Sequence, residues 1–301
     1  MKLQTLTSTI ILAALPILSA KAETVYILSS LDQIISFDSA TPGNILSAHS
    51  ITGLTTGESL LGLDARPADG MLYALGSSSR LYSINPATGG ATQVGSGQFS
   101  PLLNGSTFGF DLNPTVDRFR VTTDLDQNLR INPITGGVTA TDGTLAYAAG
   151  DSRFGQSPNI NGVAYNNNFP GALTTTLYGI DSLQNTLVTI GTPSPNDGTV
   201  HTIGALGIDV SRFNGFDISG VSGIGYIVSP AASSDPAANL YMVNLANGGV
   251  TLVGKIGGLD ADYLVRGFTV FAPVPEPGIS ALLAVGGSFG FLLWRRQRSR
   301  K

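Results

Sequence analysis

GFDLNPTVDRFRVTTDLDQNLRINPITGG, residues 109–137, contains three short apolar segments separated by turn residues. The first begins at Gly109, the second is FRVT (119–122), and the third, NLRIN (128–132), runs directly into Pro-Ile-Thr-Gly-Gly. Segments this short, rich in β-branched and aromatic residues and bounded by Gly, Pro, Asn and Asp, read as β-strands. Nothing between them has the length or 3.6-residue period of an amphipathic helix. Asn132-Pro133 turns the chain out of the third strand, and Gly136-Gly137 supplies the positive φ that a return strand needs.

Outward from this stretch the same order of parts recurs. Opening segments stand at Gly62 (GLDARP), Gly109, Gly162 (GVAYNN), Gly215 (GFDISG) and Gly267 (within RGFTVF), with spacings of 47, 53, 53 and 52 residues. Second segments are LYAL (72–75), FRVT, LYGI (177–180) and GYIV (225–228), and third segments are RLYSIN (80–85), NLRIN, TLVTI (186–190) and NLYMVN (239–244). The turn INPATGG (84–90) matches INPITGG (131–137), Asn247-Gly248-Gly249 is a terser version, and fourth strands follow at ATQVG (91–95) and VTLVG (250–254). Four short strands in about 50 residues make a β-propeller blade. VYIL (25–28), QIISFD (33–38) and SAHSITG (47–53) supply the second to fourth strands of a further blade, whose first strand is RGFTVF at the far end. The expected fold is therefore an all-β propeller of five four-stranded blades closed by pairing N- and C-terminal strands, which leaves no open edge. Extra strands within 138–161 would make it six.

Two sets of residues are candidates for chemistry. Two positions after each opening glycine stand Asp64, Asp111, Ala164, Asp217 and Thr269. Three carboxylates at equivalent ring positions either converge on a cation such as Ca²⁺ in the channel or accept backbone N–H bonds in the turns that follow. Aligned second strands place Tyr26, Tyr73, Arg120, Tyr178 and Tyr226 in one position. The surrounding repeat also carries Arg118, Arg130, Asp111, Asp117, Asp124 and Asp126. Arg118, Arg120 and Arg130 form either a binding patch for an anionic group or ion pairs that hold a blade together. Asp124-Leu125-Asp126-Gln127-Asn128 resembles the start of an EF-hand loop but lacks its Gly and closing Glu, so it reads as a hairpin tip.

No catalytic residues are assigned. The two histidines, His49 and His201, fall on fourth-strand positions of different blades, and no G-x-S-x-G, H-E-x-x-H or P-loop occurs. The chain has no Cys, which excludes disulfides, thiol catalysis and thiolate metal sites. Between Glu23 and Val274, nineteen Asp and Glu stand against nine Lys and Arg, a net of −10. An acidic body argues against nucleic acid and anionic membrane surfaces as partners and suits cations or neutral polysaccharide.

The ends read as transport signals. Lys2, an apolar run from Ile10 to Leu18 and Ala20-Lys21-Ala22 form a secretory signal peptide over 1–22, cleaved between Ala22 and Glu23 for the general secretion machinery. The propeller then occupies 23–272, and 273–301 forms a third segment. It consists of Pro275-Glu276-Pro277, an uncharged stretch over 278–294, and a tail with Arg295, Arg296, Arg298, Arg300 and Lys301. Seventeen helical residues cover about 25 Å, short of a ~30 Å hydrocarbon core, and the basic tail predicts a cytoplasmic end. These three parts in order resemble the PEP-CTERM sorting signal of Gram-negative bacteria. That resemblance implies recognition and removal of the tail by an exosortase-type membrane protease.

The body over residues 25 to about 271, through GLDARP, GFDLNPTVDRFRV and NLRINPITGG, resembles domain-of-unknown-function family 4394, which is often found in exported proteins. That family implies the repeat architecture and export, and it transfers no catalytic residue. The expected function is an exported surface- or matrix-associated propeller that binds or builds rather than catalyses. The PEP-CTERM resemblance adds exopolysaccharide as an associated material. No cofactor is expected beyond Ca²⁺ at the three aspartates. The alternative is a channel-centred metal-dependent hydrolase or lactonase-like enzyme.

Overall fold

A computed structural model describes residues 22–191, 194–232, 235–259 and 264–271. The expected signal peptide over 1–22, except Ala22 itself, and the segment 273–301 lie outside the described residues. No helix among the described residues is long and apolar enough to cross a membrane.

Five sheets form the blades, antiparallel but for one short parallel pairing at an outer edge. The first contains β1 (Thr24–Ser29), β2 (Gln33–Asp38) and β3 (Ile45–Ser50), and the second β4 (Leu60–Arg66), β5 (Met71–Gly76), β6 (Arg80–Ile84) and β7 (Ala91–Val94). The third holds β8 (Phe108–Asn113), β9 (Arg118–Thr123), β10 (Asn128–Ile131) and β11 (Val138–Thr141). In the fourth, β13 (Ile160–Tyr165), β14 (Leu177–Asp181), β15 (Thr186–Ile190) and β16 (Thr199–Ala205) are joined at the outer edge by the two-residue β12 (Ala146–Tyr147). The fifth runs β17 (Gly215–Ile218), β18 (Gly225–Ala232), β19 (Asp235–Val243) and β20 (Val250–Lys255). The last strand, β21 (Val265–Phe271), pairs with β1 and completes the first blade. The region 138–161 thus holds β11, the fourth strand of the third blade, β12 at the edge of the fourth, and the start of β13, and the ring has five blades. Inner strands touch in the closed order β21, β4, β8, β13, β17 and back to β21.

Apolar side chains fill the seams between blades. Val25, Phe37, Val228 and Phe268 join the first and fifth blades, and Leu75, Leu81, Phe110 and Phe119 join the second and third. Leu28, Leu63 and Tyr82 link the first to the second, and Ile180, Phe216 and Ile227 the fourth to the fifth.

The repeated heptapeptide is the turn from third to fourth strand. Asn85, Asn132 and Asn244 each accept from the backbone N–H two residues on, and each donates its own N–H to the second glycine's carbonyl. Only the first glycine of each pair takes positive φ: Gly89 at 74°, Gly136 at 69° and Gly248 at 84°. The third turn begins at Asn244, with Leu245 where the others carry proline, so it is as long as the other two. These glycines also meet the preceding blade. A Cβ on Gly136 would lie 2.3 Å from the Val94 carbonyl oxygen, and one on Gly89 2.3 Å from that of Ser50. The turn is repeated because it docks on a neighbour as well as reversing the chain.

Candidate functional site at the propeller axis

Gly62, Gly109, Gly162, Gly215 and Gly267 form a ring at the heads of the inner strands, and none has positive φ. Their reason is contact. A Cβ on Gly215 would lie 2.2 Å from Phe268 Cβ, one on Gly62 2.6 Å from Phe110 Cβ, and one on Gly267 2.7 Å from Leu63 Cβ. In each case the apolar residue after the glycine in the next blade occupies the space.

Two residues further along stand Asp64, Asp111, Ala164, Asp217 and Thr269. They pair across the sheet with Tyr73, Arg120, Tyr178, Tyr226 and Tyr26, so the register is the same in all five blades. The three carboxylates are 0–1% exposed. They do not bond to the turns that follow them but reach across the seams. Asp64 Oδ2 accepts from Leu112 N at 2.7 Å, Asp111 Oδ2 from Tyr165 N at 2.8 Å and Asp217 Oδ2 from Val270 N at 2.6 Å. Each donor directly follows the equivalent position of the next blade. Asp217 Oδ1 also accepts from Ile218 N at 2.6 Å. Strand ladders leave this N–H row without partners along the axis, and the carboxylates satisfy it.

Thr269 completes the ring. Its hydroxyl lies 3.0 Å from Asp64 Oδ1 and 3.0 Å from Asp217 Oδ2. A hydroxyl carries one proton, so it serves both contacts only if one carboxyl is itself protonated and donates. The acidities agree with that. Burial, followed by the charge of Asp217, holds Asp64 well above the ordinary carboxylate range. Burial, followed by the charges of Asp64 and Asp217, does the same to Asp111. Burial pushes Asp217 up to about 6, against the pull of its backbone hydrogen bonds.

One oxygen from each aspartate lies within 4.8 Å of the others. Three points so spaced fall within about 2.8 Å of a common centre, against 2.3–2.6 Å for Ca–O bonds, so a contraction of a few tenths of an ångström would close the set on a cation. The site can carry shared protons or a hard cation.

The arginines of the third blade occupy different places. Arg120 is 1% exposed and faces the fourth blade where the other blades present tyrosine. It donates to Asn128 Oδ1 at 2.7 Å, Asp142 Oδ2 at 2.5 Å, Asn196 Oδ1 at 2.8 Å and Tyr165 OH at 3.2 Å. Arg130 grips the same Asp142 with two bonds of 2.8 and 2.9 Å. Arg118 donates to the Asp117 carbonyl at 2.6 Å, while the Asp117 carboxylate is held by Arg66 of the second blade. Asp124 receives Ser106 and Thr107 at the β9–β10 tip, so the tip reading of DLDQN describes what is there.

Sequence reasoning missed a cavity of about 180 Å³ at the mouth of the axis where the inner strands begin. Arg212, Arg266, Asn161 and Asn214 line it with Phe108 and Phe213. The signal was adjacency, since Asn161, Asn214 and Arg266 immediately precede ring glycines.

Fold and site define a five-bladed propeller whose last strand closes the first blade and whose axis is laced by buried aspartates. The chain belongs to the family described as Domain of unknown function (DUF4394), which matches residues 33–268. Residues 273–298 match the PEP-CTERM protein-sorting motif, which marks the protein for export to the envelope of a Gram-negative cell and for exosortase processing. No curated protein matches the chain.

Among solved structures, the Nidogen/Laminin complex is similar at TM-score 0.48 and 12% identity, covering 84% of this chain and 99% of that one. A putative 6-phosphogluconolactonase from Bacteroides uniformis is similar at 0.43 and 14%, covering 80% and 84%. Dihydro-heme d1 dehydrogenase NirN is similar at 0.37 and 9%, with 77% of this chain covering only 43% of that one. At these scores the likenesses bear on neither activity nor ligand.

Proposed function

We propose that this protein is an exported, surface- or matrix-associated propeller that binds or builds and does not catalyse, delivered with a cleaved signal peptide over 1–22 and a processed tail over 273–301. The observation that carries this reading is the closed axis. Asp64, Asp111 and Asp217 are 0–1% exposed and each accepts a backbone N–H from the next blade, so they act as lacing between blades. A hydrolase or lactonase would need these carboxylates in reach of substrate. The proposed start of the mature protein is supported by Glu23, a residue 7% exposed whose carboxylate accepts from Ser219, Ser222 and Tyr226 of the fifth blade. Polysaccharide association rests on the sorting motif's setting.

The test is fractionation of a host that carries an exosortase. The wild type should reach the surface and matrix fraction without its tail, and Glu276→Ala should stay in the membrane fraction. Identical distribution of the two would sink the delivery scheme, and wild type confined to the periplasm would sink the matrix role.

A second reading is favoured by the convergence of three carboxylate oxygens: the axis holds a structural Ca²⁺. Millimolar Ca²⁺ should then raise the melting temperature of the EDTA-treated protein by several degrees, and Asp111→Asn should remove that response. An unchanged melt leaves the aspartates as proton-sharing lacing.

A further inference from the structure

The cavity at the mouth of the axis differs in chemistry from the aspartates beneath it. Two guanidinium groups border it in a body with a net charge of −10. Arg266 donates to the Leu60 carbonyl at 3.3 Å, and Arg212 lies over the Phe213 ring at 4.9 Å from its centroid. Among the described residues neither forms an ion pair, whereas Arg66, Arg80, Arg120 and Arg130 all do. Both are therefore held in place with donors to spare, and a planar guanidinium matches a carboxylate bidentately.

The walls add two further signs. Thr107 Oγ1 and Asn214 Oδ1 belong to residues that line this cavity and are 4% and 5% exposed; both oxygens are buried, and among the described residues each lacks a hydrogen-bond partner. Asn214 is otherwise pinned, donating to Asn161 Oδ1 at 2.8 Å and the Ser211 carbonyl at 2.9 Å. Phe108 and Phe213 supply apolar ring surface at the same opening. Cations and aromatic faces together ask for a ligand with a carboxylate and a C–H face. The ≈180 Å³ volume lies below the roughly 300–1,000 Å³ of drug-sized pockets and so suits a small ligand group.

We propose that this mouth binds the uronic-acid residue of an acidic polysaccharide, with Arg212 and Arg266 holding the carboxylate and Phe108 and Phe213 facing the sugar ring. The proposal rests on the matrix-associated reading and names the material it would engage. It also revises the expectation of a neutral polysaccharide, because the body's charge is negative while this opening is not.

The test is calorimetric titration of the full-length protein with D-glucuronate, glucose and acetate, and with the Arg212→Gln and Arg266→Gln variants. Expected are saturable binding of glucuronate, at least tenfold weaker binding of glucose and acetate, and at least tenfold loss in each variant at an unchanged melting temperature. Arg212 is exposed, so its replacement leaves the core intact. Equal binding of glucose, equal binding of acetate, or unaltered glucuronate affinity in both variants would each overturn the assignment. No glucuronate binding, in a protein that still fractionates with the matrix, would overturn the site and leave the matrix reading standing.

Discussion

Arg120 shows how one residue can break a repeat for a structural reason. Four blades put tyrosine opposite the axial position, where it packs in an apolar seam, and the third blade puts a guanidinium there. That seam compensates with Asp142, Asn128, Asn196 and Tyr165, which take the donors of a side chain 1% exposed. Arg120→Ala should therefore cost about 1–3 kcal/mol in denaturant unfolding, because Asn128 Oδ1 and Asn196 Oδ1 would lose their donor while Asp142 keeps Arg130. At the axis the sign is reversed. Asp111→Asn keeps an oxygen for Tyr165 N and removes a charge that Asp64 and Asp217 oppose. In EDTA at pH 8 this variant should melt a few degrees above wild type. A lower melting temperature there would mean that the ring is held by charge.

At the scale of the element, inner strands and third-to-fourth turns depend on glycine for different reasons. Gly215 has ordinary torsions and is needed because Phe268 of the next strand fills the place of its Cβ. Gly136 needs both its left-handed φ and its close approach to Val94. Gly215→Ala should cost about 1–3 kcal/mol through overpacking. Gly136→Ala should cost more than an ordinary surface change, from strain and backbone clash together. Gly97, with open space around its Cα and no positive φ, is the control and should tolerate alanine. Urea melts of the three variants would rank them, and equal stabilities would refute the contact argument.

For the whole molecule, the axial carboxylates couple stability to pH. Their folded pKa values are raised, so the native state keeps protons that the unfolded chain releases near pH 4. Unfolding then becomes easier as pH rises from about 4 through about 6, where Asp217 titrates, and the raised acidities of Asp64 and Asp111 act with the same sign. Glu58, Asp124 and Asp151 are shifted down by hydrogen bonds and act in the opposite direction at lower pH. The difference between wild type and Asp111→Asn isolates the axial contribution. In EDTA the variant's relative melting temperature should climb as pH rises above about 4, and a flat difference would rule out the raised acidities.

The repeat, the strand order, the five blades and the closure by RGFTVF follow from local periodicity and turn chemistry, because each blade is specified by its own fifty residues. The sorting motif is equally local. The ring glycines could be counted in the sequence but not explained, since their cause is a side chain about fifty residues away in the next blade. The aspartates were legible as a set, whereas their acceptors, Leu112 N, Tyr165 N and Val270 N, were not. A carboxylate followed by Asn-Pro or Arg-Pro has the same sequence whether it caps its own turn or laces a neighbour. Arg212 and Arg266, fifty-four residues apart, meet only when the ring closes. Tertiary structure decided those contacts because the blades supply their surfaces locally, while the seams and the axis exist only between them.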